Sequence, residues 1–186
     1  MIRLTNKKIE KNNTSMNIQN NSQKYNKKMV IYSTITLLIM ALIFFFSSQE
    51  AEDSMYVSDT TLSFIIETVG HSLSDSVQLF LEEYIRKVAH FTIYMILGMF
   101  AYLTLWEWKS DILPKRQIFQ FSLIFSFVYA MTDEFHQKFV AGRSCEWNDV
   151  CLDSIGALTG IVIIIGLRYL LSNKNKRHSK KHAVPS

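Results

Sequence analysis

At 186 residues and 48% apolar content, the chain has room for one domain of ordinary size, but its mean hydropathy of +0.09 blends oily blocks with wet ends and excludes an ordinary water-soluble globule. The formal net charge of +4 does not mark a nucleic-acid surface, which would set bases among aromatics on a folded face. Here Arg3, Lys7, Lys8, Lys11, Lys24, Lys27 and Lys28 precede the first apolar block, and Lys174, Lys176, Arg177, Lys180 and Lys181 follow the last.

Residues 1–28 are Asn-, Lys- and Ser-rich without a period and read as a disordered basic cytoplasmic arm. Val30 to Phe46 carries no charge, and F-F-F-S-S-Q-E-A-E-D lacks a small-x-small cleavage pattern, so the run predicts an uncleaved first transmembrane helix. The loop from Glu50 to Glu83 holds Glu50, Glu52, Asp53, Asp59, Glu67, Asp75, Glu82 and Glu83 and no Lys or Arg. Against the basic arm this places the loop outside. Within it, Val57 to Val69 reads as a short interfacial helix. A second membrane helix is expected from Ile85 to about Leu105, with Trp106 and Trp108 as its interfacial belt. Lys109, Pro114, Lys115 and Arg116 form an inner loop.

A third helix, Gln117 to about Gln137, then runs outward, and a fourth, about Asn148 to Leu171, returns to a basic tail at 172–186. The expected architecture is therefore an all-α integral membrane four-helix bundle over residues 29–171, with both termini cytoplasmic. The tails can touch anionic headgroups, at about 1 kcal/mol per base. On the fourth helix Gly156 and Gly160 form a small-x-x-x-small face that permits close helix approach in lipid. Cys145 and Cys151 have no zinc-site spacing; they read as packing residues at a helix start, and whether they pair stays open.

This topology gathers polar residues at one depth. Between two long apolar runs, Met131 to Asp153 packs five acids, two bases and a histidine. Each helix also has polar residues at its outer end: Ser47, Ser48 and Gln49 on the first, Arg86, Lys87, His90 and Tyr94 on the second. Asp133, Glu134, His136 and Gln137 end the third, and Arg143, Asp149 and Asp153 lead into the fourth. Helical spacing puts Ser122, Ser126, Tyr129, Asp133 and Gln137 on one stripe, and Asp149, Asp153, Gly156 and Gly160 on another. One by one, such residues merely wet a headgroup region. Taken together, ionisable groups at this depth mark a functional site. Arg143 is expected to pair with Asp133 or Glu134.

The pieces F-F-F-S-S-Q at 44–49, K-V-A-H-F-T-I-Y at 87–94, T-D-E-F-H-Q-K-F-V-A-G-R at 132–143 and D-V-C-L-D-S-I-G-A-L-T-G at 149–160 resemble the VanZ family over roughly Ile31 to Leu167. The resemblance implies a small integral membrane protein of the cell envelope, some relatives of which accompany teicoplanin resistance. It maps the family's acid pair onto Asp133 and Glu134, its glutamine onto Gln137 and its arginine onto Arg143. The following acid falls on Asp149, the lysine and histidine on Lys87 and His90, and a position often Asn or Asp on Asp153. Where relatives commonly carry Pro before the Gly-Arg pair, this chain has Ala141.

Three functions fit these residues. Arg143, Arg86 and Lys87 could hold the phosphate or carboxylate of a lipid-linked wall precursor or anionic lipid, since the planar guanidinium makes two parallel bonds. A membrane-embedded enzyme would use His90 with Asp133 and Glu134 as acid and base, or hold a divalent metal with Asp149 and Asp153. H-E-x-x-H, G-x-S-x-G and a phosphate loop are all missing from the sequence, so no metal site or cofactor is assigned. The third function, an ion-coupled carrier, lacks a repeat and a polar path through the inner halves.

Overall fold

The computed structural model describes residues 27–49, 60, 75–141, 143 and 145–181. Among these there are four helices and no strand: α1 (Lys27–Ser47), α2 (Asp75–Lys109), α3 (Lys115–Gln137) and α4 (Trp147–Lys181). Of the expected arm at 1–28, residues 1–26 lie outside the described residues, while Lys27 and Lys28 begin α1; of the expected interfacial helix at 57–69 only Thr60 is described, in helical conformation, and the last five residues also lie outside.

Two helices are longer than their apolar runs predict. α2 begins at Asp75 instead of Ile85, because no Gly or Pro interrupts residues 75–85 and the Lys87 ammonium meets Glu83 at 2.8 Å one turn away. Such pairs support a helix without any burial. α4 continues through Lys181 instead of ending at Leu171; the added residues contain no breaker, and bases suit the negative end of the helix dipole. Pro114 caps α3 in an extended conformation, accepting from the N–H groups of Gln117 and Ile118.

α1, α2 and α4 each contain a segment long and apolar enough to cross a membrane. α3 does not reach that apolarity, and the reason is visible on one face: Ser122, Ser126, Asp133, Glu134 and Gln137 are all buried. Its other face exposes Phe121, Ile124, Phe125 and Val128. Twenty-three residues rise about 35 Å, roughly a bilayer core. In water the large exposed aliphatic and aromatic surface, with Leu37, Phe45 and Leu170 each more than half exposed, would be a liability; against lipid it is the expected exterior.

The core has two layers. Ile39, Ile43, Tyr94, Leu97, Ala130 and Val150 pack toward one end, and Tyr102, Ile118 and Ile161 toward the other. Direct bonds fix the helix order: Thr36 meets Thr104 at 3.1 Å between α1 and α2, and the Tyr129 hydroxyl donates to the Met40 carbonyl at 2.6 Å between α3 and α1. The α2–α4 contact is closest. A Cβ placed on Gly98 would meet the Ala157 backbone, and one on Gly156 or Gly160 would meet the Phe91 or Met95 carbonyl. The expected small-residue face is therefore present, and Gly98 extends it from the opposite helix. At the far end Trp106 is half-buried beneath the Arg168 guanidinium, 4.4 Å from its ring, while Trp108 is exposed beside Lys109. Cys145 and Cys151 are free and exposed and do not pack at the helix start as expected: Cys145 precedes α4, and Cys151 lies between the buried Val150 and Asp153 but off the face they turn inward.

Candidate functional site

α1 and α3 end where α2 and α4 begin their inward-facing stretches, so the polar ends of all four helices converge. A recess of about 70 Å³ opens there, lined by Arg86, Lys87, His90, Glu134, Gln137, Arg143, Glu146, Asp149, Leu152 and Asp153. That volume holds several waters or a small polar group.

Each helix contributes from the face its periodicity turns inward. On α2, Lys87, His90 and Tyr94 follow one stripe: Lys87 stands at the rim between Glu83 and Asp149, the latter at 3.9 Å, and Tyr94 is fully buried. On α3, Asp133 and Glu134 are buried side by side and do different work. Asp133 Oδ2 accepts the Ser47 hydroxyl at 2.9 Å and lies 3.4 Å from the Gln137 amide. Glu134 Oε2 accepts the Glu146 backbone N–H at 3.1 Å, immediately before α4, and so pins the connecting segment to α3. On α4, Asp153 is 1% exposed and 3.9 Å from His90 Nδ1.

The expected pairing of Arg143 with Asp133 or Glu134 does not form. Glu134 is already occupied by a backbone donor, and the turn carries Arg143 into the recess, where its Nε is buried without a partner. Burial pushes the Arg143 guanidinium below its ordinary value, and the Arg86 charge nearby adds to the push. It stays charged, since arginine does not lose its proton in proteins. Four further buried polar atoms have no hydrogen-bond partner: the Tyr94 hydroxyl, Asp133 Oδ1 and both Asp153 carboxylate oxygens. Buried polar groups are ordinarily satisfied, and here five unsatisfied atoms cluster around one recess.

Of the residues expected from the sequence, Arg86, Lys87, His90, Glu134, Gln137, Arg143, Asp149 and Asp153 line the recess. Tyr94 and Asp133 lie buried behind it. Gln49, half-buried just past α1, does not line it. Ser122 and Ser126 donate to carbonyls of their own helix, so the α3 stripe makes no polar path inward. Glu146 and Leu152 were not expected in the site, and Ser47, expected at the same depth, joins it through Asp133. Ser47 is fully buried; the signal for it was the abrupt start of polar residues after Phe46. His136 instead stacks on Phe44, with ring centroids 4.5 Å apart, outside the recess.

Fold and site together define a multi-pass, all-helical membrane protein with an ionisable cluster drawn to one end of its bundle. The chain belongs to the VanZ/LLP1 family, whose pattern matches residues 32–170. No curated protein and no solved structure matches it.

Proposed function

We propose that the recess binds the anionic headgroup of a lipid-linked wall precursor or a membrane lipid, presented from the outer leaflet. The observation that carries this reading is the Arg143 guanidinium, half-buried, close to a second guanidinium and with a buried, unpartnered Nε. An anion relieves all three conditions at once: it satisfies the donor, screens the Arg86–Arg143 repulsion and replaces lost hydration. Glu83 and Asp149 hold Lys87 in place in the absence of ligand. Native mass spectrometry of the protein titrated with a polyprenyl phosphate or with phosphatidylglycerol separates the two sources of phosphate. Arg143→Ala is expected to weaken the preferred lipid about 10- to 100-fold, the equivalent of one charge-assisted hydrogen bond. Equal binding by wild type and variant overturns the reading. The teicoplanin resistance implied by the sequence resemblance would act through the same recess, so overproduced Arg143→Ala protein should not lower teicoplanin susceptibility where the wild type does.

The outer-face assignment rests on charge: an acidic loop without Lys or Arg joins α1 to α2, and bases flank the other helix ends. Both termini are then cytoplasmic, with α3 as the fourth span. Cys145, exposed beside the recess, provides the test. A membrane-impermeant maleimide is expected to label it in intact cells, and Cys145→Ser should remove that signal. Labelling of a cysteine introduced at Ser110 in a cysteine-free background, together with a silent Cys145 in the wild type, reverses the orientation.

A further inference from the structure

We propose that His90, Asp133 and Asp153 form a binding site for one divalent transition-metal ion, Mn²⁺ or Zn²⁺, at the floor of the recess. The three residues come from α2, α3 and α4, and each offers a ligand atom within 4.8 Å of the others. Metal bonds of about 2.1 Å set ligands about 3.0 Å apart at right angles and about 4.2 Å apart when opposite. The 3.9 Å between His90 Nδ1 and Asp153 Oδ2 already falls in that range; since at most one pair of three ligands can be opposite, a pair near the 4.8 Å limit closes by about 1 Å through side-chain rotation.

Two independent observations point to a cation and not to an acidic cluster alone. Asp153 is 1% exposed, lines the recess, and leaves both carboxylate oxygens without a hydrogen bond. Asp133 divides its two oxygens: Oδ2 accepts from Ser47, while Oδ1 is buried and unpartnered. One oxygen oriented by an outer hydrogen bond and the other left free is the arrangement of a monodentate metal ligand with its supporting shell. One imidazole nitrogen with two carboxylates suits Mn²⁺ or Zn²⁺ better than an all-oxygen cation such as Ca²⁺. Three protein ligands leave positions open, and two of the three, His90 and Asp153, also line the recess.

The consequence deepens the anion reading and rests on it in one respect only: an open metal position beside Arg143 would take a phosphate oxygen, so the ligand would be a metal-coordinated phosphate. Cation binding itself stands without any anion. The assay is the loss of the free Mn²⁺ electron paramagnetic resonance signal on adding purified, chelator-treated protein, with Zn²⁺ as competitor. About one ion per chain is expected, with at least about tenfold weaker binding for Asp153→Asn and for His90→Gln; Arg143→Ala, which removes a positive charge acting on His90, should bind the ion at least as tightly as wild type does. Elution as a single monodisperse peak checks that each variant is folded, and Asp133→Asn provides a third ligand variant. No binding by wild type, or binding unchanged in all three ligand variants, overturns the metal site. Intact Mn²⁺ binding by an Arg143→Ala protein that also binds the phosphate lipid normally overturns the anion reading alone.

Discussion

Gly160→Leu is expected to remove nearly all folded protein from the membrane, whereas Gly166→Leu on the same helix is expected to leave its level unchanged. A Cβ on Gly160 would run into the Met95 carbonyl, which belongs to the α2 backbone and cannot swing aside; around Gly166 nothing lies within 4 Å. Relief requires α2 and α4 to move apart. Overpacking of this kind costs about 1–3 kcal/mol even where side chains can adjust, and more where backbone must move; each such step lowers the folded-to-unfolded ratio roughly tenfold or more in a marginally stable protein. The same movement would separate His90 from Asp153, so any residual protein should also lose the recess. Gly98 sits against Ala157 from the other side, and Gly98→Leu is expected to match Gly160→Leu. Membrane levels and the monodisperse fraction in detergent provide the measurement. Similar levels for the Gly160 and Gly166 variants would show that the α2–α4 approach is not what holds the bundle.

That contact also shows where sequence reading reaches and where it stops. Gly156 and Gly160 are legible as a pair because four-residue spacing places them on one helical face in an otherwise bulky run. Gly98 is not, since its neighbours at that spacing are Tyr94 and Tyr102, and only the partner helix explains it. Asp133 and Gln137 are legible through the α3 stripe. Ser47 is legible as one of the polar residues that end α1, but its turn inward onto Asp133 is not, because Ser48 and Gln49 follow it directly and only packing selects among the three. Lys87, His90 and Asp153 could be placed at one depth from topology alone. The rotation that brings His90, Asp133 and Asp153 together, while leaving Gln49 aside, depends on three helix-packing angles. Arg143 shows a different gap: closeness in sequence suggested an ion pair, but the connecting turn gives Glu134 to the Glu146 N–H and leaves the arginine facing the recess.

With chelator present, Asp153→Asn is expected to stabilise the protein, by about 1–2 kcal/mol, although it removes half of an apparent ion pair. The sign follows from what surrounds Asp153. Its distance of 3.9 Å to His90 is worth about 4 kcal/mol of attraction at an effective dielectric of about 20 if the imidazole is charged. Asp133, whose ligand oxygen lies within 4.8 Å, returns about 3.5 kcal/mol of repulsion on the same scale. These nearly cancel. What remains is the desolvation of a carboxylate with no hydrogen bond on either oxygen, which amounts to several kcal/mol. Asparagine has the same shape and no charge, so it sheds that penalty and retains only about 1–3 kcal/mol for an unsatisfied amide. His90 keeps Asp133 as an acid neighbour. The order should reverse with Mn²⁺ at about 100 times its dissociation constant, where the wild type gains roughly 2.7 kcal/mol and the variant gains little. Thermal unfolding in detergent, with chelator and then with the ion, measures both signs on the same samples. A variant less stable than wild type in chelator would make the His90–Asp153 pair a structural tie between α2 and α4.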